Sequence, residues 1–244
     1  MENKEYIVVD AGNTLVKIAR FQNDELLDVA FFKREDDFEL KRMLQRSSDK
    51  RSILSSVVSE NRKKWIVEQL HPTLVLTNDT KLPISLDHYK TKNSLGTDRI
   101  ANAVAGHVMA KGKDALVIDI GTCIKFDFVD KTGSYKGGSI SPGMQMRFKA
   151  MHDYTGKLPL ISDPQEPILI GDSTFQSMNT GVVFGIKAEI NGFIAHYSND
   201  YKPLTIFLTG GDHKRFDKGL KNSIFAEDYL TLRGLYLILK YNEE

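Results

Sequence analysis

Two copies of one short pattern constrain the fold of this chain more than any other feature. In each copy an apolar, β-branched run ends in an aspartate, a glycine follows two positions later, and a polar residue precedes a second apolar run. The equivalent residues are Asp10 and Asp119, Gly12 and Gly121, and Asn13 and Thr122. The pattern predicts a strand, a tight turn and a second strand. Because the copies lie roughly half a chain length apart, the sequence predicts a duplicated domain whose copies face each other across a cleft.

One such turn is weak support for a binding site, because Asp-x-Gly-Thr between strands is usually an ordinary hairpin. The repetition favours a second interpretation, in which both hairpins grip one polyphosphate. Gly121 lets the backbone approach a bound group closely, and Thr122 offers a hydroxyl and a backbone N–H.

The charge balance indicates a small metabolite as the partner. The chain has 33 Lys and Arg residues against 32 Asp and Glu residues, a formal net charge of +1, so no global field attracts nucleic acid or a membrane. The single cysteine, Cys123, excludes an internal disulfide. No signal peptide or long apolar segment is visible, so we expect a cytoplasmic protein.

Hydrophobic periodicity predicts a similar order of elements in both halves. The first half is predicted to contain strands at 5–10, 14–21, 25–33, 52–58 and 73–77 and helices at 36–45 and 61–70. The second half is predicted to contain strands at 115–119, 122–130, 134–141 and 204–209, helices at about 144–154, 173–198 and 228–241, a short helix from 213, and a loop at 159–167. This order is typical of α/β proteins with two duplicated ribonuclease H-like domains, each a mixed five-stranded sheet with flanking helices. We place these domains at 1–112 and 113–244, around a central nucleotide cleft.

A polar segment from Tyr89 to Arg99 leads directly into an apolar helical pattern. In one interpretation Thr97 or Asp98 simply caps that helix. In the other, Asp98 accepts a hydroxyl proton while Arg99 and the backbone N–H groups of the first turn hold an anionic substrate. Both interpretations can apply to the same residues.

Six motifs follow one another along the chain. They are Asp10-x-Gly-Asn-Thr-x-x-Lys17, Gly96-Thr-Asp-Arg99, Asp119-x-Gly-Thr122, Gly137-Gly-x-Ile-x-Pro-Gly143, Ser173-Thr174 and Gly210-Gly-Asp212. In this order they resemble the motifs of type III pantothenate kinases, which belong to the acetate kinase, sugar kinase, Hsp70 and actin superfamily. The resemblance covers nearly the whole chain. It implies ATP-dependent phosphorylation of pantothenate to 4'-phosphopantothenate, the first step of coenzyme A biosynthesis.

The resemblance also implies roles for single residues. Asp98 would be the general base, and Asp119 would bind a monovalent cation, K⁺ or NH₄⁺. The ATP phosphates would be lined by Asp10, Gly12, Asn13, Thr14, Lys17, Gly121 and Thr122. Pantothenate would be contacted by Tyr89, Gly96, Thr97, Asp98, Arg99 and, at a dimer interface, Thr174. Family members often carry alanine where this chain has Cys123, a change that is conservative in size.

These groups suit phosphoryl transfer, which needs in-line positioning, metal ions on the phosphate oxygens and a base near the acceptor hydroxyl. Asp10 and Asp119 would both face a polyphosphate, and Mg²⁺ would offset only part of the repulsion, so a weakly hydrated monovalent cation at Asp119 is expected. No Cys/His pair supports a nucleophilic mechanism, and no His/Cys spacing indicates zinc.

Two other functions stay open for this fold. One is a non-enzymatic accessory or regulatory protein, for example in transcription, and the other is a superfamily kinase with another small acceptor. The presence of Asp98 and both phosphate hairpins favours an enzyme.

We also expect a homodimer, from the family and from the long helix after Ser173. That helix has more apolar residues than one face requires. They are Met178, Val182, Val183, Phe184, Ile186, Ile190 and Phe193.

Overall fold

Each half of the chain contributes one five-stranded sheet. The computed structural model describes residues 4–33, 35–217 and 224–243. The strands of the first half are β1 (Glu5–Ala11), β2 (Val16–Gln22), β3 (Glu25–Phe32), β4 (Arg51–Ser56) and β5 (Leu74–Val75). Those of the second half are β6 (Asp114–Ile120), β7 (Cys123–Val129), β8 (Tyr135–Pro142), β9 (Leu204–Thr209) and β10 (Ile224–Ala226).

The two sheets share one topology. Their strand orders are β3-β2-β1-β4-β5 and β8-β7-β6-β9-β10. In each sheet the first two strands of that half form an antiparallel hairpin, and the first strand pairs in parallel with the fourth. The predicted duplication and the mixed five-stranded sheets are therefore confirmed.

The helices connect and cover these sheets. They are α1 (Asp37–Arg46), α2 (Glu60–Leu70), α3 (Thr97–Met109), α4 (Met144–Asp153), α5 (Thr174–Asp200), α6 (His213–Phe216) and α7 (Leu230–Tyr241). The Ser173 hydroxyl caps α5 by accepting a hydrogen bond from the backbone N–H of Gln176 at 3.3 Å. In the described part of the chain, no helix is both long and apolar enough to span a bilayer.

Most predicted elements are found within a few residues of their expected bounds. Strand β5 is shorter than predicted, with two residues. Strand β10 is absent from the sequence prediction because three residues are too few to show a hydrophobic period. Its position at the sheet edge depends on pairing with β9.

Strand β1 is buried on both faces, as its continuous apolar run requires. Ile7 and Val9 pack with α1 and α2, whereas Tyr6 and Val8 pack with residues of α3 and α7. The C-terminal helix therefore crosses back from the second half to the first sheet. The predicted domain boundary between residues 112 and 113 stays a prediction. Helix α7 belongs to the second half of the chain but packs on the first sheet.

Helices α3 and α7 approach each other closely at Gly234. A Cβ added there would overlap the backbone carbonyl of Ala101 on α3. We expect Gly234→Ala to lower the free energy of unfolding by about 1–3 kcal/mol, because the methyl group forces the helices apart. Urea unfolding followed by circular dichroism measures this loss.

A matched control is Gly192→Ala in the middle of α5, where an added Cβ meets no atom within 4 Å. Replacing this exposed helical glycine should leave stability unchanged or raise it by about 0.5–1 kcal/mol. Equal losses in both variants would contradict the close α3–α7 packing.

Candidate active site

The acidic ends of β1 and β6 lie near the start of α3. Burial raises the pKa of Asp10 to about 6, and the charge of Lys17 opposes this shift. Asp98 raises the pKa further, Lys125 lowers it, and Asp119 raises it. Because these charges act on one another, both hairpins and the first turn of α3 belong to one electrostatic site.

The turns of the two hairpins present polar groups to solvent. Asn13, Thr14 and Thr122 are exposed. Lys17 Nζ lies 3.9 Å from Asp10 Oδ2, and its side chain is one-third exposed. Backbone hydrogen bonds from Gly12 N to Leu15 O at 3.0 Å and from Gly121 N to Cys123 O at 3.1 Å close the turns. Three of the predicted phosphate-binding residues are therefore accessible at two fixed turns, and Lys17 is accessible in part.

Lys125 joins the start of α3 to the second hairpin. Its Nζ lies 2.6 Å from Asp98 Oδ2 and 2.8 Å from Asp119 Oδ2. Asn102 Nδ2 also donates to Asp119 Oδ2, at 3.2 Å, and Thr231 on α7 donates to Asn102 Oδ1, at 2.8 Å. These contacts hold both carboxylates in place before any ligand binds.

The neighbouring residue Arg99 is buried, with 6% exposure. Its Nε donates to Asp127 Oδ1 at 2.8 Å, and Tyr135 donates to the same oxygen at 2.7 Å. Arg99 Nη2 lies 2.7 Å from that oxygen but makes no hydrogen bond in the described residues. Burial raises the pKa of Asp127 to about 6, although Arg99 and Tyr135 lower it. Asp127 thus remains charged at neutral pH and orients Arg99.

The capping interpretation of Thr97 and Asp98 is wrong in its simplest form. Gly96 occupies the N-cap position, and no side chain caps the helix there. The Thr97 hydroxyl hydrogen-bonds to Ser55 on β4 at 2.9 Å, and Asp98 Oδ1 accepts from the backbone N–H of Arg99 at 2.9 Å. The second Asp98 oxygen contacts Lys125, so its side chain is directed toward the site.

Two further predicted residues lie outside the contacts among Asp98, Lys125 and Asp119. Tyr89 is half-buried, with its ring centroid 5.5 Å from that of Tyr135, so it is joined to the Arg99–Asp127 group. Thr174 lies exposed at the first turn of α5, and it has no described contact with the other site residues.

The turn after β9 approaches Asp119 from the other side. Gly210 has a φ of +97°, and a Cβ there would overlap the carbonyl of Ile120 and the carboxylate of Asp119. Only glycine combines this backbone conformation with this close approach.

Sequence reasoning missed Lys125, Asp127 and Asn102. A signal for the first two was present, because they alternate with the buried residues Ile124, Phe126 and Phe128 along β7. Charged residues at a period of two in a buried strand share one face and need partners there. Asn102 has no comparable signal, since only its contacts with β6 and α7 connect it to the site.

The site fits Mg²⁺ and a monovalent cation differently. Among the described residues, no group of three or more His, Cys, Asp or Glu side chains is arranged to hold a metal ion. Mg²⁺ is commonly bound through substrate phosphates, waters and one or two carboxylates, and Asp10 can supply one carboxylate.

A monovalent cation at Asp119 fits poorly. Asp119 Oδ2 already contacts Lys125 Nζ and Asn102 Nδ2. A second unit charge about 4 Å from the ammonium would be repelled by about 4 kcal/mol at an effective dielectric constant of about 20.

Comparison with known proteins identifies relatives along nearly the whole chain. The family model of type III pantothenate kinases matches residues 6–196. A type III pantothenate kinase from Phocaeicola vulgatus is 40% identical over 240 residues, covering 98% of this chain and 99% of the relative.

Solved structures support the fold alone. A Campylobacter jejuni protein assigned to the Baf family of transcriptional activators has a TM-score of 0.65 at 20% identity, covering 97% of this chain and 98% of that one. An inorganic polyphosphate/ATP-glucomannokinase from Arthrobacter has a TM-score of 0.53 at 13% identity, covering 98% of this chain and 100% of that one. The family match over residues 6–196 and the 40% identity over nearly the full length show that this chain belongs to the type III pantothenate kinase family.

Proposed function

We propose that this chain transfers the γ-phosphoryl group of ATP to a hydroxyl of pantothenate, giving 4'-phosphopantothenate in the first step of coenzyme A biosynthesis. Family membership supports the reaction and both substrates. One observation carries the assignment of residues: the Asp98 carboxylate contacts Lys125 between the acidic ends of two duplicated hairpins. A superfamily kinase with another acceptor is less consistent with the Gly96 to Arg99 motif at this position.

Asp98 is the general base in this proposal. It lies in the first turn of α3, where the helix dipole stabilises a carboxylate. Its oxygens are held by Lys125 and the Arg99 backbone N–H, so it is oriented before pantothenate binds. A base fixed in this way can accept the hydroxyl proton as the phosphoryl group is transferred.

The two hairpins hold ATP. Exposed Asn13 and Thr14 of the first turn and Thr122 of the second offer hydroxyl, amide and backbone N–H donors to phosphate oxygens. Lys17 adds a positive charge beside Asp10. Mg²⁺, when bound between Asp10 and the phosphates, would neutralise charge on the phosphate oxygens.

Pantothenate is an anion, and Arg99 supplies a cation for its carboxylate in this proposal. The support is the buried Nη2, which makes no hydrogen bond among the described residues, while Nε donates to Asp127. A buried donor without an acceptor is costly, and a bound carboxylate would satisfy it. Tyr89, Gly96 and Thr97 would complete the pocket.

The resemblance implies K⁺ or NH₄⁺ at Asp119. The proposal keeps only the requirement for a positive charge beside that carboxylate, because Lys125 already contacts it. The resemblance also implies that turnover depends on K⁺, and salt exchange at constant ionic strength tests that implication.

A homodimer that brings Thr174 to the partner's site is part of the proposal. The α5 residues expected at the interface are mostly core residues: Met178, Val182, Val183, Ile186 and Ile190 are buried against the second sheet. Better support comes from the loop before α5, where Leu169 and Ile170 are 80% and 83% exposed. Adjacent apolar side chains this exposed are typical of an interaction surface.

We expect Asp98→Asn to lower kcat by about 10² to 10⁴, the usual contribution of a positioned base, with ATP affinity nearly unchanged. A coupled assay with pantothenate, acetate and a sugar panel measures turnover and acceptor choice. A thermal unfolding curve accompanies it. Retained kcat with a large loss of stability would mean that Asp98 only supports the helix start.

Arg99→Lys should mainly raise the KM for pantothenate, because an ammonium cannot reproduce a bidentate guanidinium contact. Asp127→Asn is the matched control, since it weakens the internal ion pair and leaves the Arg99 donors in place. Steady-state kinetics and the unfolding temperature separate the roles. If Arg99→Lys lowers stability with an unchanged KM, Arg99 serves only the internal ion pair.

Light scattering should give twice the protomer mass of 27.6 kDa. The double variant Leu169→Glu, Ile170→Glu should be monomeric, because paired carboxylates cannot be buried at an apolar interface, and its pantothenate KM should rise if Thr174 acts across the interface. Phe38→Glu is the control, since Phe38 is 76% exposed on α1. A monomeric wild type would overturn the role of Thr174.

A further inference from the structure

Lys125 places a positive charge between two carboxylates of the proposed site. Its Nζ contacts Asp98 and Asp119 at 2.6 and 2.8 Å, and its side chain is 16% exposed. A lysine side chain is ordinarily protonated at neutral pH, and carboxylates within hydrogen-bonding distance favour its charged form. The group therefore stays an ammonium throughout the neutral pH range.

The backbone fixes this ammonium in place. Lys125 lies directly opposite Asp119 in the antiparallel pair of β6 and β7, and opposed residues project from the same face of a sheet. Its neighbours Ile124 and Phe126 are fully buried, so the strand cannot turn Lys125 outward without exposing core residues. The ammonium therefore has a fixed position between two carboxylates, as a bound cation would have.

The charge balance of the site depends on this residue. Asp10, Asp98 and Asp119 contribute three negative charges, and Lys17 and Lys125 contribute two positive charges. Without Lys125 the formal charge would change from −1 to −2 before the polyphosphate of ATP enters. A site of that charge would attract a free cation.

We infer that the Lys125 ammonium is the monovalent cation of this site, built into the chain beside Asp119 in place of K⁺ or NH₄⁺. It has the charge of either ion and contacts the carboxylate expected to bind one. Phosphoryl transfer in this protein then needs no added monovalent cation. The inference rests on the proposed pantothenate kinase activity.

Salt exchange at constant ionic strength tests this inference, with KCl, NH₄Cl, NaCl and tetramethylammonium chloride beside fixed MgCl₂. The wild-type kcat should change by less than about twofold among these salts. Lys125→Ala should lose about tenfold or more in tetramethylammonium chloride, because a counter-charge is missing from the transition state. K⁺ or NH₄⁺ should restore most of that loss by entering the vacated space.

Two further variants separate charge from packing. Lys125→Met fills the space without a charge, so its activity should be low in every salt. Lys136→Ala removes another Lys–Asp pair, between β8 and Asp130, and should behave as the wild type does. Thermal unfolding gives a readout without turnover: K⁺ should raise the Tm of Lys125→Ala relative to tetramethylammonium and leave the wild-type Tm unchanged.

Three results would overturn the inference. They are a wild-type rate that falls about tenfold or more without K⁺, a Lys125→Met variant as active as the wild type, and a folded Lys125→Ala variant that no cation rescues. If Lys125→Ala does not fold, the inference is tested by the wild-type kcat in the four salts and by the activity of Lys125→Met. If wild-type protein phosphorylates no pantothenate in any salt, the proposed function fails, and the unfolding arm still tests Lys125.

Discussion

The arrangement of the site depends on two ion pairs between the first turn of α3 and strand β7. Consecutive residues of the helix, Asp98 and Arg99, meet alternate residues of the strand, Lys125 and Asp127. A buried ion pair adds little net stability compared with apolar packing, but breaking one partner is costly. The pairing therefore fixes one orientation of the helix against the second sheet, and that orientation brings the Asp98 carboxylate to the Lys125 ammonium.

Helix α3 also connects the two halves of the chain. Its apolar residues, including Ile100 and Val104, pack with the first sheet and α7, whereas its polar first turn contacts the second sheet. Gly234 lets α7 approach the α3 backbone closely, and Thr231 of α7 holds Asn102, which holds Asp119. A shift of α7 would therefore displace Asn102 and, through it, Asp119 at the acidic end of β6.

The chemistry follows from where these elements end. Phosphoryl transfer demands positioning and charge compensation more than covalent groups, and in the proposed site the hairpin turns, a helix N-terminus and two lysines would supply both. Lys125 differs from Lys17 in burial, with 16% against 33% of the side chain exposed. The more buried lysine contacts two carboxylates at 2.6 and 2.8 Å, whereas the more exposed one lies 3.9 Å from a single carboxylate.

Patterns along the chain were sufficient to predict the fold class, the duplication and the candidate residues of the two hairpins and the helix start. Period-two alternation around Asp10 and Asp119 defined the two hairpins, and the change to helical periodicity after Arg99 defined α3. These features are local, so spacing along the chain reveals them. Tertiary structure alone decided which charges meet. The register of β6 against β7 places Lys125 opposite Asp119. The packing of α3 on the second sheet lets Arg99 donate to Asp127. The packing of α7 on α3 lets Thr231 donate to Asn102. Such pairings join residues far apart in sequence, and their energies depend on burial and distance, which no local pattern records.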